Sequence, residues 1–370
     1  MNLSYWEIKQ WFTDVDFCIV GGGLVGLNCA LSLRIKYPHA KIIVLEKGIL
    51  PQGASTKNAG FACFGSLSEL LNDLNTLTEE EMVGLVKKRA VGLYLLRKIL
   101  GDEALGYKDH GGYELFLKGN PEFFEACLEN RERINNLLKP HFKKDVFEVK
   151  KNAFGFKKIQ DHYIYNNCEG QIDTGKMMDA LIAKCMKRGI KILNSTPVDS
   201  FQDQGNNVLV KTGICEFKPR KLFITTNGFA SELVNNEVMP ARAQVLITKP
   251  IKDLHIKGNF HFDSGYYYFR NIDNRILFGG GRNLDFKGET TTEFGETKLI
   301  QNNLEEYLKT VILPGTPFEI EHRWSGIMGV GNTKYPIIKP LSGNVFCGVR
   351  LGGMGVAIGS LVGHELAGLV

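Results

Sequence analysis

The sequence predicts an α/β chain of two domains, an α+β arrangement with a Rossmann-like unit beside a mixed-sheet unit. Three observations carry that expectation: a complete βαβ unit at the start, short alternating strands through the middle, and a strand entering a helix through glycines at the end. The first is the most informative. Asp16-Phe17-Cys18-Ile19-Val20 reads as a buried strand running straight into Gly21-Gly22-Gly23-Leu24-Val25-Gly26. Gly21, Gly23 and Gly26 have the G-x-G-x-x-G spacing: Gly21 makes the turn, Gly23 lets a diphosphate approach the main chain, and Gly26 lets helix and strand pack closely. The helix that follows carries Leu27, Ala30, Leu31 and Ile35 on one face, and Pro38 stops it. Its free N–H groups and positive end face the anion. Residues 41–46 form the second strand and end in Glu46, 20 residues beyond Gly26, where a carboxylate accepts both hydrogens of a ribose diol. These parts together predict an adenine-dinucleotide site.

The remaining elements follow in order. Residues 68–100 read as helix, with Leu70, Leu71 and Leu74 followed by Met82, Leu85 and Val86; residues 113–117 alternate as a strand and 121–138 return to helix. Residues 139–158 are basic and contain Phe142, Phe147, Phe154 and Phe156, but the alternation Val146-Phe147-Glu148-Val149 favours a solvated strand edge over a nucleic-acid surface. A helix over 175–188 and a short strand over 190–193 come next, then a hairpin from 198–201 and 207–210, and a buried strand from 221 into a turn at Thr226-Asn227-Gly228. Further strands occupy 243–249, 266–271 and 275–279, a helix 297–311, and a strand 344–349 leads into Gly352-Gly353-Met354-Gly355 and a last helix.

Composition sets the outer limits. At 370 residues the chain is long enough for two cores, and 44% hydrophobic with 23% charged residues is a globular balance. A net charge of +5 is too small for a dedicated nucleic-acid binder. The eight cysteines, at positions 18, 29, 63, 127, 168, 185, 215 and 347, include no C-x-x-C pair and read as reduced thiols, with no disulfide framework and no metal site. There is no secretory signal pattern at the start and no apolar run of the ~20 residues a membrane helix needs. The expectation is a cytoplasmic protein.

A nicotinamide or a flavin dinucleotide suits the opening motif equally, and three later segments favour flavin. Gly53-Ala54-Ser55-Thr56-Lys57-Asn58-Ala59-Gly60-Phe61-Ala62 offers small residues, hydroxyls and an amide to a long cofactor, or is simply a polar loop. The turn through Thr226, Asn227 and Gly228 closes over a cofactor, or is simply a strand end. Gly352, Gly353, Met354, Gly355 and Val356 aim a helix N-terminus where negative charge develops on a reduced flavin, or serve close packing.

Together these segments resemble the D-amino-acid oxidase, or glycine/sarcosine oxidase, superfamily of FAD-dependent oxidoreductases. Leu3-Ser4-Tyr5-Trp6-Glu7, the 53–60 loop and Trp324-Ser325-Gly326-Ile327-Met328 look most like its gamma-glutamylputrescine-oxidoreductase-type branch. The resemblance implies a glutathione-reductase-type FAD/NAD(P)-binding domain from residues 1–85, 168–232 and 325–370, with a mixed-sheet substrate domain from 86–167 and 233–324. It implies oxidation of a C–N bond of an amine or amino acid, a secondary amine or polyamine conjugate preferred, by hydride transfer to the flavin. By position, Gly21–Gly26 hold pyrophosphate and Glu46 the ribose, while Lys47 and Val198 flank adenine. Ser55, Thr56, Lys57, Asn58 and Gly60 follow the ribityl chain and flavin edge, and Gly353–Val356 sit by the pyrimidine ring.

Several positions depart from the family pattern. Met328 stands near the place of a substrate-binding arginine, and Ala357 where some members carry a lysine. Cys347 lies inside its strand, not ahead of it, so FAD is expected to be non-covalent. No lysine in 275–282 matches the oxygen-activating one of some relatives, which leaves oxygen and a protein or quinone carrier both open as electron acceptor. Substrate-binding candidates are Arg350, with a structural ion pair as the plain alternative, and Tyr268 and Arg270, alternate residues of one strand that share a face. Arg282 is weaker, and His110 reads as structural. Oxidation of a 2-hydroxy acid or glycerol-phosphate C–O bond ranks second because no histidine lies in a flavin-facing motif. A non-catalytic carrier of the same fold ranks third.

Overall fold

The computed structural model describes residues 2–234 and 237–370. Its centre is a six-stranded sheet in the order Ile337–Pro340, Val345–Val349, Lys221–Ile224, Phe17–Val20, Ile42–Leu45, Lys191–Leu193. The pairings are parallel except for the edge strand Ile337–Pro340, and every residue of the four inner strands apart from Lys221 is buried. Continuous apolar runs such as Phe17-Cys18-Ile19-Val20 are what a strand covered on both faces requires. One covering layer holds the helices Leu24–Lys36, Thr174–Lys187 and Gly355–Ala367; Val208, Val210 and Phe217 of a small three-stranded sheet belong to the other.

The helix Leu24–Lys36 is buried over most of its circumference because the last helix packs across it, with Gly363 against the Val25 carbonyl and Asn28. Ile35, expected on its apolar face, is 75% exposed in the last turn of the helix. The expected helix over 68–100 is two helices, Leu67–Asp73 and Glu79–Leu100. Each starts at its own capping box, Ser66 with Glu69 and Thr78 with Glu81, so the second box restarts the chain in a new direction.

The second sheet has eight strands in the order Ile320–Val330, Met239–Thr248, Arg275–Gly280, Tyr267–Ile272, Asn259–Phe262, Gly112–Leu115, His162–Asn166, Phe147–Lys151. All neighbours are antiparallel except Asn259–Phe262 with Gly112–Leu115, so the sheet is mixed as expected. Phe147–Lys151 is its outer strand, with Glu148 and Lys151 exposed, which is the solvated edge anticipated for the basic segment. One face packs an aromatic core of Phe156, Phe260, Phe262, Phe269 and Phe278 against the helix Lys298–Tyr307. The other face turns toward the six-stranded unit, where Trp324 Nε1 donates to the Lys57 carbonyl at 2.9 Å. The anticipated borders at 85 and 324 fall inside the helix Glu79–Leu100 and the strand Ile320–Val330, so both elements carry the chain across between the two units.

Candidate active site

A cleft of about 640 Å³ opens at the carboxyl ends of the parallel strands, lined by Val20, Leu45, Thr225 and Arg350, and continues beneath the inward face of the large sheet. A wider groove of about 1160 Å³ lies at the opposite, amino ends of the same strands, between Asp16, Lys36, Arg220 and Val370. Size does not decide between them. Ligands of open parallel sheets bind outside the carboxyl ends, where helix N-termini and crossover loops converge.

One end of the cleft is built from the glycine turn. Gly21 has φ +110°, and a side chain there would lie 2.9 Å from the Thr225 carbonyl. A Cβ on Gly26 would stand 2.0 Å from the Gly21 carbonyl oxygen, so that glycine lets helix and strand pack and does not itself line the cleft. Gly22 also stays out of the lining; its N–H donates to Glu46 Oε2 at 2.9 Å, while the Gly48 N–H donates to Oε1 at 3.0 Å. Two backbone donors thus fix the Glu46 carboxylate, 6% exposed, at the cleft wall beside Lys47 and Val198.

The segment read as a loop over 53–62 contains one helical turn, Ala54–Lys57. Ser55 Oγ accepts the Leu24 N–H at 2.9 Å, tying this turn to the start of the first long helix. Asn58 donates through Nδ2 to the Ser55 carbonyl and accepts the Gly60 N–H and the Thr174 hydroxyl through Oδ1. Gly53, Ala54, Ser55, Lys57, Asn58, Ala59, Gly60 and Phe61 line the cleft. Thr56 does not, because its hydroxyl turns back to the Pro51 carbonyl at 2.6 Å; Ala62 does not, because it is buried in a two-stranded ladder with Gly170.

The opposite wall is the turn into the last helix. Asn227 (φ 44°) accepts the Leu351 N–H through Oδ1 at 3.1 Å, and the Gly329 carbonyl accepts the Gly352 N–H at 2.9 Å. Thr226, Asn227, Gly228, Gly352, Gly353, Met354, Gly355 and Val356 all line the cleft. The Thr226 hydroxyl is buried and has no partner among the described residues. A glycine cradle, a fixed carboxylate, a second helix N-terminus and an orphaned hydroxyl along one continuous cleft fit an elongated dinucleotide such as FAD.

The substrate candidates separate. Tyr268 lines the cleft, with Phe61 edge-on at 5.7 Å, and burial pushes its hydroxyl pKa up to about 12. Arg270 shares that sheet face but does not line the cleft. It is 3% exposed beneath Gly60, its Nε has no partner among the described residues, and burial lowers its pKa to about 10. Arg350 lines the cleft, but its guanidinium donates to the Tyr335 carbonyl at 3.0 Å and the Thr333 hydroxyl at 2.9 Å, binding the loop before the strand Ile337–Pro340. Arg282 lines the cleft as well.

Sequence motifs missed a polar lobe beyond Phe61, where Cys63, Glu69, Arg89 and His261 join the lining. The expectation that no histidine lies in a flavin-facing motif left out His261, which lines the cleft and lies opposite Tyr268 on one side and Glu114 on the other. The signal was the alternation Asn259-Phe260-His261-Phe262, but only strand pairing shows that its polar side faces the cleft and not solvent. Cys63, Glu169 and His261 place ligand-type atoms within 4.8 Å of one another, a cluster that cysteine spacing did not reveal.

Known proteins resemble this chain over most of its length. The gamma-glutamylputrescine oxidoreductase of Escherichia coli is 23% identical over 378 residues, 96% of this chain and 83% of its own. The mitochondrial L-2-hydroxyglutarate dehydrogenase of Caenorhabditis elegans is 25% identical over 263 residues, 66% of this chain and 57% of its own. Among solved structures, glycine oxidase from Bacillus cereus shares the fold with a TM-score of 0.75 at 17% identity, covering 96% of each chain. The model of the DAO family, FAD dependent oxidoreductase, matches residues 16–369, and the chain belongs to that family of flavoenzymes.

Proposed function

We propose that the chain oxidises the C–N bond of a small amine or amino acid, a secondary amine or polyamine conjugate preferred, with FAD bound non-covalently. The single observation that carries this reading is the continuous cleft from Gly21 and Glu46 to Gly353–Val356 and on beneath Tyr268. When bound, FAD supplies the two-electron acceptor. The protein's own part is to hold its diphosphate on the Gly21–Gly23 turn, its ribose on Glu46, and its ribityl chain along Ser55, Lys57 and Asn58. The first turn of Gly355–Ala367 would hold the pyrimidine ring and, with its free N–H groups, would favour negative charge there. Phe61 and Tyr268 exclude water above the reacting carbon, and Arg350 is the nearest motif candidate for a substrate carboxylate. Arg270 acts from behind Gly60 through its charge. The FAD-binding unit is 1–85, 168–232 and 325–370, and the helix Glu79–Leu100 and the strand Ile320–Val330 run on from it into the other unit. Eight unpaired cysteines suit a reducing cytoplasm, and no helix among the described residues is long and apolar enough to cross a membrane.

One observation favours a second reading. His261 at the cleft wall is a base of the kind that oxidation of a 2-hydroxy acid C–O bond requires. Anaerobic mixing with a panel of amines, amino acids and 2-hydroxy acids separates the two. The first reading predicts loss of the flavin's visible absorbance with an amine or amino acid; reduction by hydroxy acids alone would replace it with the second. Reoxidation of the substrate-reduced flavin by oxygen or by a quinone then identifies the electron acceptor.

A further inference from the structure

We infer that His261, held by Glu169, takes up the proton released when the substrate is oxidised. The inference rests on the proposed oxidation and adds the group that makes it possible. His261 Nε2 lies 3.1 Å from Glu169 Oε2, and both side chains are buried. The other Glu169 oxygen accepts Asn166 Nδ2 at 3.2 Å. Position 112 must be glycine for the pair to form, since a Cβ there would lie 2.2 Å from Glu169 Oε2. Phe61 packs edge-on against the imidazole at 5.0 Å and fixes its plane. Nε2 is thereby committed to Glu169, while Nδ1 has no partner among the described residues and belongs to a side chain that lines the cleft. This is the arrangement in which a carboxylate sets one imidazole nitrogen and leaves the other for proton transfer.

The groups around the ring favour that role over a metal centre. Glu114 approaches from the strand Gly112–Leu115, Tyr268 from Tyr267–Ile272, Glu69 from the helix Leu67–Asp73, Arg89 from Glu79–Leu100, and Cys63 from the segment after Phe61–Ala62. Burial alone would lower the His261 pKa, but Glu169, with Glu69 and Glu114 behind it, outweighs burial and raises it to about 9. Burial pushes the Cys63 thiol well above its usual range, which disfavours a thiolate ligand, and both Glu169 oxygens already accept hydrogen bonds. The surrounding carboxylates therefore favour the charged form of the ring. Its base form grows as pH rises toward 9, and the oxidation rate rises with it.

The step balances for either bond. With an alcohol, the O–H bond breaks and its proton forms an N–H bond at Nδ1. The electron pair left on oxygen becomes the second bond of C=O, and the C–H hydrogen leaves as hydride to the flavin. With an ammonium, Nδ1 takes the N–H proton first, and the freed lone pair becomes the second bond of C=N as the hydride departs.

The test uses the holoenzyme and whichever panel compound reduces it. His261→Asn should slow flavin reduction by ~10²–10⁴-fold, with substrate Kd changed by no more than about threefold, and should abolish the rise of rate toward pH 9. Glu169→Gln keeps the ring and should move that rise to lower pH, which a merely structural role would not do. Glu169→Gln also decides the matter should His261→Asn lose its flavin. Independently of turnover, ¹⁵N NMR of the imidazole should show Nδ1 shifting when acetate, a non-oxidisable carboxylate probe, perturbs the flavin spectrum. An unchanged rate and pH profile, an Nδ1 resonance indifferent to acetate, or one bound metal ion per chain would each overturn the inference. If no panel compound reduces the wild type, the oxidation reading fails, and the NMR arm still decides whether Nδ1 faces the ligand site.

Discussion

Replacing Gly26 with alanine tests the nucleotide end of the cleft at its tightest point. The added Cβ would stand 2.0 Å from the Gly21 carbonyl oxygen, 2.7 Å from Thr225 Oγ1 and 3.1 Å from Ile19 Cγ2. The worst obstacle is backbone, so no rotamer change relieves it, and the start of Leu24–Lys36 must move off the strand. Overpacking a core costs about 1–3 kcal/mol, and a rigid carbonyl puts this site at the upper end. At about 2–4 °C per kcal/mol for a unit of this size, a cost of ~3 kcal/mol lowers Tm by ~6–12 °C. The same shift withdraws helix N–H groups from the diphosphate, so FAD affinity should fall at least about tenfold, ~1.4 kcal/mol. Gly84→Ala is the control: a Cβ there meets nothing within 4 Å, the position lies inside the helix Glu79–Leu100 and outside the cleft lining, and neither Tm nor flavin content should fall. Thermal unfolding and the flavin-to-protein absorbance ratio read both effects. A Gly26→Ala protein with wild-type Tm and full flavin would refute this account of the turn.

Glu46→Ala leaves the N–H groups of Gly22 and Gly48 without their acceptor; FAD Kd, measured by fluorescence quenching, should rise at least about tenfold. Arg242→Ala strands the fully buried Glu289, which Arg242 grips through Nε and Nη2 at 2.9 Å each; denaturant unfolding should show a loss of ~3–5 kcal/mol. Arg350→Ala frees the loop carrying Thr333 and Tyr335, and it should weaken carboxylate binding and slow flavin reduction; unchanged Kd and rate would remove Arg350 from the substrate site. Cys63, its thiol raised by burial, should resist iodoacetamide at pH 8 in the folded holoenzyme and react only on unfolding, as peptide mass spectrometry would show.

The nucleotide half of the site was legible because its physics is local. A turn that needs glycine at Gly21, a close approach at Gly26 and a carboxylate after the second strand all sit within one βαβ unit, and the structure puts Gly21, Gly23 and Glu46 at one cleft wall. The two capping boxes were equally local, and the break between Leu67–Asp73 and Glu79–Leu100 could have been read from Thr78 and Glu81. The lobe around His261 was not legible because it is made by pairing. His261 meets Glu169, 92 positions away, only after Asn259–Phe262 has paired with Gly112–Leu115 and that strand with His162–Asn166. Alternation correctly put Tyr268 and Arg270 on one face, yet depth along the sheet separates them. Tyr268 reaches the cleft, and Arg270 ends beneath Gly60.

A crystal structure of the chain grown with FAD tests the central claim most directly. The account predicts the diphosphate at Gly21–Gly23 and the isoalloxazine between Gly353–Val356 and the Phe61–Tyr268 wall. Density for the cofactor in the groove between Asp16, Lys36 and Arg220, or an isoalloxazine turned away from Tyr268, would contradict it.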